Sequence, residues 1–155
     1  MYDLHINTMK KVVIYTDGAC SGNPGKGGWC AILIYDNNGI QARKSISGSK
    51  NDTTNNQMEL TAVIEAMSVL KEPVDIDLFS DSKYVIDGAT RWLSGWIANG
   101  WKTSNKKPVA NQDLWKKLLP LLETHSINWN WVKGHSDNEF NNKCDEIARR
   151  ITKEM

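Results

Sequence analysis

Asp17, Glu59, Asp81 and Asp145 are carboxylates whose settings in this 155-residue chain allow them to act together, with His135 as a further candidate partner. An all-oxygen set of this kind suits Mg2+, or Mn2+ in its place, rather than zinc, and no Cys/His cluster offers a zinc site. Two such ions in a carboxylate cluster suit in-line attack of water on a phosphodiester, one activating the water and the other stabilising the leaving oxygen. No Ser-His-Asp arrangement competes. Cys20 lies near Asp17 in the chain, but nothing identifies a base or cation that would activate its thiol.

Singly, each residue has an ordinary explanation. Asp17 precedes Gly18 and can open a turn. Asp81 can cap the helix that follows it. Glu59, in a first helical turn, suits the helix dipole. Asp145 would pass for a surface acid, and His135 for a surface histidine in the loop 133–137. The case against coincidence rests on the elements that carry them.

Val12-Val13-Ile14-Tyr15 reads as a strand buried on both faces, ended abruptly by Gly18 and a Gly/Pro-rich loop that runs to Gly28. That loop lacks the Lys-Ser/Thr of a phosphate-binding P-loop and no helix follows it. A second strand is expected over Trp29 to Tyr35, an Asn-Gly hairpin at Asn38-Gly39, and a more polar third strand over Ile40 to Ser47, near a sheet edge. These three form an antiparallel meander. A helix capped within 52–56 runs to about Leu70, with Leu60, Val63, Ala66 and Met67 in one apolar arc. Glu59 lies inside that arc and so faces the sheet.

The fourth strand spans Val74 to Asp81 and is parallel to the first, so that Asp17 and Asp81 share the C-terminal edge where open α/β sheets bind ligands. Asn111 or Asp113 is expected to cap a helix through Leu122, which Pro120 kinks or cuts short. A fifth strand follows at Ile127 to Val132. The last helix runs from Glu139 to Ile151, with Asp145 at the margin of its apolar arc.

Between Arg91 and Lys117 the character changes. Six cations face one acid, Asp113, for a local charge of +5, and four of the seven Trp fall here: Trp92, Trp96, Trp101 and Trp115. Interleaved cations and aromatics suit a surface that tracks a nucleic-acid backbone. Gly95, Gly100 and Pro108 divide the stretch into helix, loop and helix. Trp92 and Trp115 divide evenly between core and surface readings; Trp96 and Trp101, nearer the turn, lean to the surface.

Whole-chain properties set the frame. A hydrophobic fraction of 40% and net charge of +1 describe one soluble domain, so any nucleic-acid surface must be local. Three cysteines without framework spacing point to a reducing, cytoplasmic setting. No apolar run reaches membrane-spanning length, which leaves no expected membrane partner. Residues 1–10 read as an N-terminal extension and 11–155 as the catalytic domain, with its handle at about 91–111.

The stretches Tyr15–Gly25, Thr53–Leu60, Ser80–Val85, Trp131–His135 and Asn142–Ala148 together resemble type 1 ribonuclease H of the bacterial kind, in the right order over about Lys11 to Arg150. The resemblance implies a ribonuclease H-like α/β fold: a five-stranded mixed sheet, strands 1–3 antiparallel and strands 4 and 5 parallel, flanked by helices. It implies cleavage of the RNA strand of an RNA–DNA hybrid by a monomer, leaving 3′-hydroxyl and 5′-phosphate ends. By motif, Asp17 would bridge two ions, Asp145 would complete the water-activating site, and Glu59 and Asp81 would hold the leaving-group ion. His135 would assist proton transfer or product release. Cys20, Asn23, Asn55, Asn56 and Lys83 match positions near the hybrid's minor groove, and Thr54 matches a DNA-phosphate pocket. Trp92 and Trp96 match the DNA-binding channel, to which the aromatic and basic pattern adds Trp101, Lys102, Lys106 and Lys107.

One departure concerns affinity. The handle usually carries several cations just after Trp96, where this chain reads Ile97-Ala98-Asn99-Gly100. Two other readings are a non-catalytic hybrid-binding module, which would not need four acids and His135, and another nuclease of the same fold.

Overall fold

The computed structural model describes residues 9–133 and 138–155. His135 and residues 1–8 of the expected extension therefore lie outside the described residues. Strands β1 (Lys11–Gly22), β2 (Gly25–Asn37), β3 (Ile40–Thr53), β4 (Asp75–Ser80) and β5 (Ser126–Trp131) form one sheet in the order β3-β2-β1-β4-β5. The β1–β2 and β2–β3 pairs are antiparallel, and the β1–β4 and β4–β5 pairs are parallel. This is the mixed sheet expected from sequence, with the polar β3 at an edge.

Helices α1 (Asn55–Ser68) and α4 (Gln112–Thr124) contribute Leu60, Val63, Met67, Trp115 and Leu118 to the main core, against Val12, Ile14, Ala31 and Leu33. On the other face α5 (Glu139–Lys153) sets Cys144 and Ala148 against Cys30 and Ile32. Alternation along β2 thus feeds both cores, which is why its run of residues from 29 to 33 is buried throughout. No described helix is long and apolar enough to cross a membrane.

Several boundaries differ from expectation. β1 continues through Gly18 to Gly22 and β2 begins at Gly25, because Ala19, Cys20 and Ser21 pair with Gly28, Gly27 and Lys26 instead of looping free. β3 likewise extends beyond Ser47 to Thr53, still paired with β2. The Asn38-Gly39 turn forms as read, both residues having positive φ (55° and 86°).

Pro120 neither cuts short α4, which runs on to Thr124, nor lacks a place in it; its carbonyl accepts from the Thr124 hydroxyl at 2.9 Å. Asn111 does precede that helix, in the left-handed region, but its side chain caps nothing and is used elsewhere. α1 ends at Ser68, two residues early. His125, behind α4, accepts a hydrogen bond at Nδ1 from the Val74 N–H (3.1 Å), and burial lowers its pKa.

Candidate active site

β1 delivers Asp17 to the sheet's C-terminal edge and β4 ends one residue before Asp81. α1 brings Glu59 down on the same point. Its entry is fixed by a capping box: the Thr54 hydroxyl accepts from the Gln57 N–H at 3.2 Å, and Gln57 Oε1 accepts from the Thr54 N–H at 3.3 Å. Gly18 makes the close approach possible, since a Cβ there would lie 2.6 Å from the backbone of Met58 and Glu59. The Gly18 N–H donates to Asp17 Oδ1 (2.8 Å) and Glu59 Oε1 (3.1 Å), tying both acids to one donor.

Asp17, Glu59 and Asp81 each offer a carboxylate oxygen within 4.8 Å of the others. Asp17 and Glu59 are only 2% and 4% exposed, and one oxygen of each, Asp17 Oδ2 and Glu59 Oε2, is buried without a hydrogen-bond partner. Such atoms are costly unless a proton or a cation meets them. Burial, then the charges of Asp81 and Asp145, pushes the Asp17 carboxyl up to about 8. Burial and the Asp17 charge push Glu59 well above the usual range as well. The donor set and its unmet oxygens fit a hard divalent cation.

Asp145 lines the same cleft of about 370 Å3, together with Asn55, Asn56, Ser82, Lys83 and Tyr84. It is not one of the tight trio but lies near enough to Asp17 to raise that carboxyl's pKa, and it pairs with Arg149 at 2.9 Å. The alternative role for Asp81 fails: Ser82 is the residue that caps α2 (Lys83–Asp87), its hydroxyl accepting from the Val85 N–H at 3.2 Å. The helix start leaves Asp81 to the cleft.

Of the expected substrate-contacting residues, Asn55, Asn56 and Lys83 line the cleft with the acids. Asn23 Oδ1 accepts from the Asn55 N–H (3.1 Å), and the Cys20 thiol donates to the Thr53 carbonyl (3.3 Å), so the β1–β2 turn is laced to the start of α1. Missed in the sequence was the network behind them. Gln57 Nε2 donates to Asn111 Oδ1 (3.1 Å), and the Tyr84 hydroxyl accepts from Asn111 Nδ2 (3.0 Å) and Trp115 Nε1 (3.1 Å). Gln57 was visible in principle, three residues after Thr54; Asn111 carried no signal beyond its tolerance of positive φ.

The handle is the expected helix, loop and helix, with Gly100 and Pro108 in the loop over 99–111 that separates the helical stretch ending at Ala98 from α4. A π-helical turn (Gly88–Trp92) runs directly into α3 (Leu93–Ala98), so Gly95 interrupts nothing. Trp115 is fully buried, whereas Trp92 is 40% exposed. Trp96 and Trp101, read as leaning to the surface, are half-buried and pack against the main core. Trp92, Trp96, Trp115 and Tyr84 form a chain of ring contacts with centroids 5.3–6.2 Å apart. Lys102, Lys106 and Lys107 are exposed on a tip closed by the Lys102–Pro108 bridge.

Known proteins can be set beside this geometry. The RNase H family model matches residues 9–153. Ribonuclease H of Acetivibrio thermocellus is 58% identical over 90% of this chain and 93% of its own length. Ribonuclease H of Prosthecochloris aestuarii is 54% identical over 93% and 97% respectively. Among solved structures, LC9-RNase H1, described as a type 1 RNase H with the type 2 active-site motif, superposes with a TM-score of 0.84. It is 29% identical, covering 95% of this chain and 74% of that one.

Proposed function

Since this chain belongs to the ribonuclease H family and is an enzyme of that kind, we propose that it hydrolyses the RNA strand of RNA–DNA hybrids, leaving 3′-hydroxyl and 5′-phosphate ends. The observation that carries the chemistry is the trio of converging carboxylates with two buried, unpartnered oxygens. Divalent cations, two with substrate bound and Mg2+ or Mn2+ by donor type, would supply water activation and stabilisation of the leaving oxygen. Asp17, Glu59 and Asp81 would hold them, with Asp145 completing the set from α5.

The rest falls to the chain's own groups. The Gly18 N–H orients two of the acids. Asn55 and Asn56 line the cleft and Asn23 is bonded to the Asn55 N–H; hydrogen bonds from these amides to a 2′-hydroxyl would distinguish RNA from DNA. The Thr54 oxygen is engaged by the helix cap, so its O–H remains as a donor toward a phosphate. His135 is assigned proton transfer or product release on the sequence motif. Trp92 and the exposed lysines of the handle would contact the DNA strand. A cytoplasmic monomer completes the proposal; three free thiols support a reducing compartment.

The test is incubation with end-labelled hybrid, duplex DNA and duplex RNA, each with Mg2+ and with chelator. Cleavage is expected in the RNA strand of the hybrid, with Mg2+ only. Comparable cleavage of duplex DNA, or full activity in chelator, would overturn the reading.

A further inference from the structure

Trp131 has no part in the chemistry above, yet three observations meet on it. Its indole N–H donates to the carbonyl oxygen of Asp81 at 3.1 Å. The ammonium of Lys83 lies 4.5 Å from its ring centroid. It is 48% exposed, although it ends the row Ile127, Trp129, Trp131 on β5, of which the first two pack against the main core. Core packing therefore does not account for a tryptophan here.

Lys83 begins α2 and lines the cleft with the four acids, but it makes no ion pair among the described residues. A cation beside Asp17 and Glu59, each with one oxygen that lacks a hydrogen-bond partner, is drawn to them, and one that settled there would neutralise charge that a divalent ion needs. A ring face is a competing resting place outside the acid cluster, and a weak one, which leaves the ammonium available to an arriving phosphate or hydroxyl.

We propose that Trp131 is a positioning residue that keeps Lys83 off the carboxylates and braces the carbonyl of Asp81, and so preserves the metal affinity of the free enzyme. This rests on the reading that those carboxylates hold divalent cations.

The experiment is calorimetric Mn2+ binding to the full chain without nucleic acid. Trp131→Leu is expected to weaken binding about two- to five-fold, the scale of an exposed cation–ring contact. Lys83→Met should leave the parent's affinity nearly unchanged, because its charge is already held away. The double variant, Trp131→Leu with Lys83→Met, should recover most of the loss. Trp131→Phe, which keeps a ring face but no N–H, should lose less than Trp131→Leu.

Parent affinity in Trp131→Leu would overturn the inference alone. So would a double variant as weak as Trp131→Leu, which marks a merely structural role. An equal deficit in Trp131→Phe would leave only the N–H at work and refute the holding of Lys83. Several-fold tighter binding by Lys83→Met would show that the ammonium already sits among the acids; this arm does not depend on how Trp131→Leu folds. Absence of Mn2+ binding by the parent would instead refute the metal reading itself.

Discussion

In the cleft, Asp17 and Glu59 are buried with an oxygen each unpartnered, whereas in the handle the cations stand in water and the aromatics pack tilted and edge-on against one another. The cleft opposes stability: like charges crowd at a sheet edge, and burial raises what it costs to ionise them. In the proposed function the handle serves stability and binding together. Trp115 fills the core, Trp96 and Trp101 lie half across its border, and Trp92 faces outward from the same cluster. The two regions touch at Tyr84, which lines the cleft while accepting a hydrogen bond from Trp115. Where function runs against packing, a residue type out of place marks it. Where function and packing ask for the same residue type, type alone marks nothing.

The sharpest way to break this contrast is to neutralise the cleft. Asp17→Asn is expected to lower turnover about 10³-fold or more, since several kcal/mol of charge stabilisation are lost at roughly 1.4 kcal/mol per decade. Activity within ten-fold of the parent would remove Asp17 from the chemistry. His135→Ala should slow turnover about 10²-fold or more with the Michaelis constant and metal dependence near those of the parent. Unchanged single-turnover and steady-state rates would make it a surface histidine.

In the handle the contrast is between two tryptophans. Trp115→Ala should cost about 3–5 kcal/mol of stability. Trp92→Ala, with its ring 40% exposed, should cost much less in a urea melt but weaken hybrid binding, because stacking on an open ring is worth about 1–3 kcal/mol. Equal stability losses would mean that Trp92 is core and that the handle's binding face lies elsewhere.

The smallest effect concerns the cation-poor tip. Replacing Ile97, Ala98 and Asn99 with Lys should tighten hybrid binding a few-fold in Ca2+ at low salt. It should also steepen the salt slope, by about 0.9 per phosphate contacted on B-form DNA, and leave kcat nearly unchanged. Parental affinity and slope would show that the tip does not meet the substrate.

The antiparallel meander, the parallel fourth strand and the three converging acids were legible in the chain, from apolar runs, alternation and an inward-facing Glu59, while the direction of β5 came only with the family resemblance. Boundaries were less so. Glycines at 18, 22 and 25 read as punctuation, but Gly18 serves close approach to α1, and only Gly22 has positive φ at the turn. Pro120 read as a kink or an early break, and the break does not occur: the thirteen-residue helix continues past it, with Trp115 and Leu118 held in the core. The Gln57–Asn111–Tyr84 network joins residues 27 and 54 positions apart, and no local pattern announces such pairs. Trp131 fitted its strand's alternation too well to attract a second reading.

The central claim is that the carboxylate cluster is held against its own repulsion for the sake of a cation. Its most direct test is a urea melt in chelator, from pH 4 to pH 9, of the parent and Asp17→Asn. With a folded-state pKa of about 8 against an ordinary 3.8, the protonated Asp17 carboxyl favours the fold at low pH. That contribution is lost as pH rises through about 8. The parent should therefore lose stability across this window relative to Asp17→Asn, which should be at least as stable by pH 8, and Mn2+ should restore the parent alone. An Asp17→Asn protein clearly less stable than the parent at pH 8 in chelator would contradict the account, giving Asp17 a structural role in place of an electrostatic one.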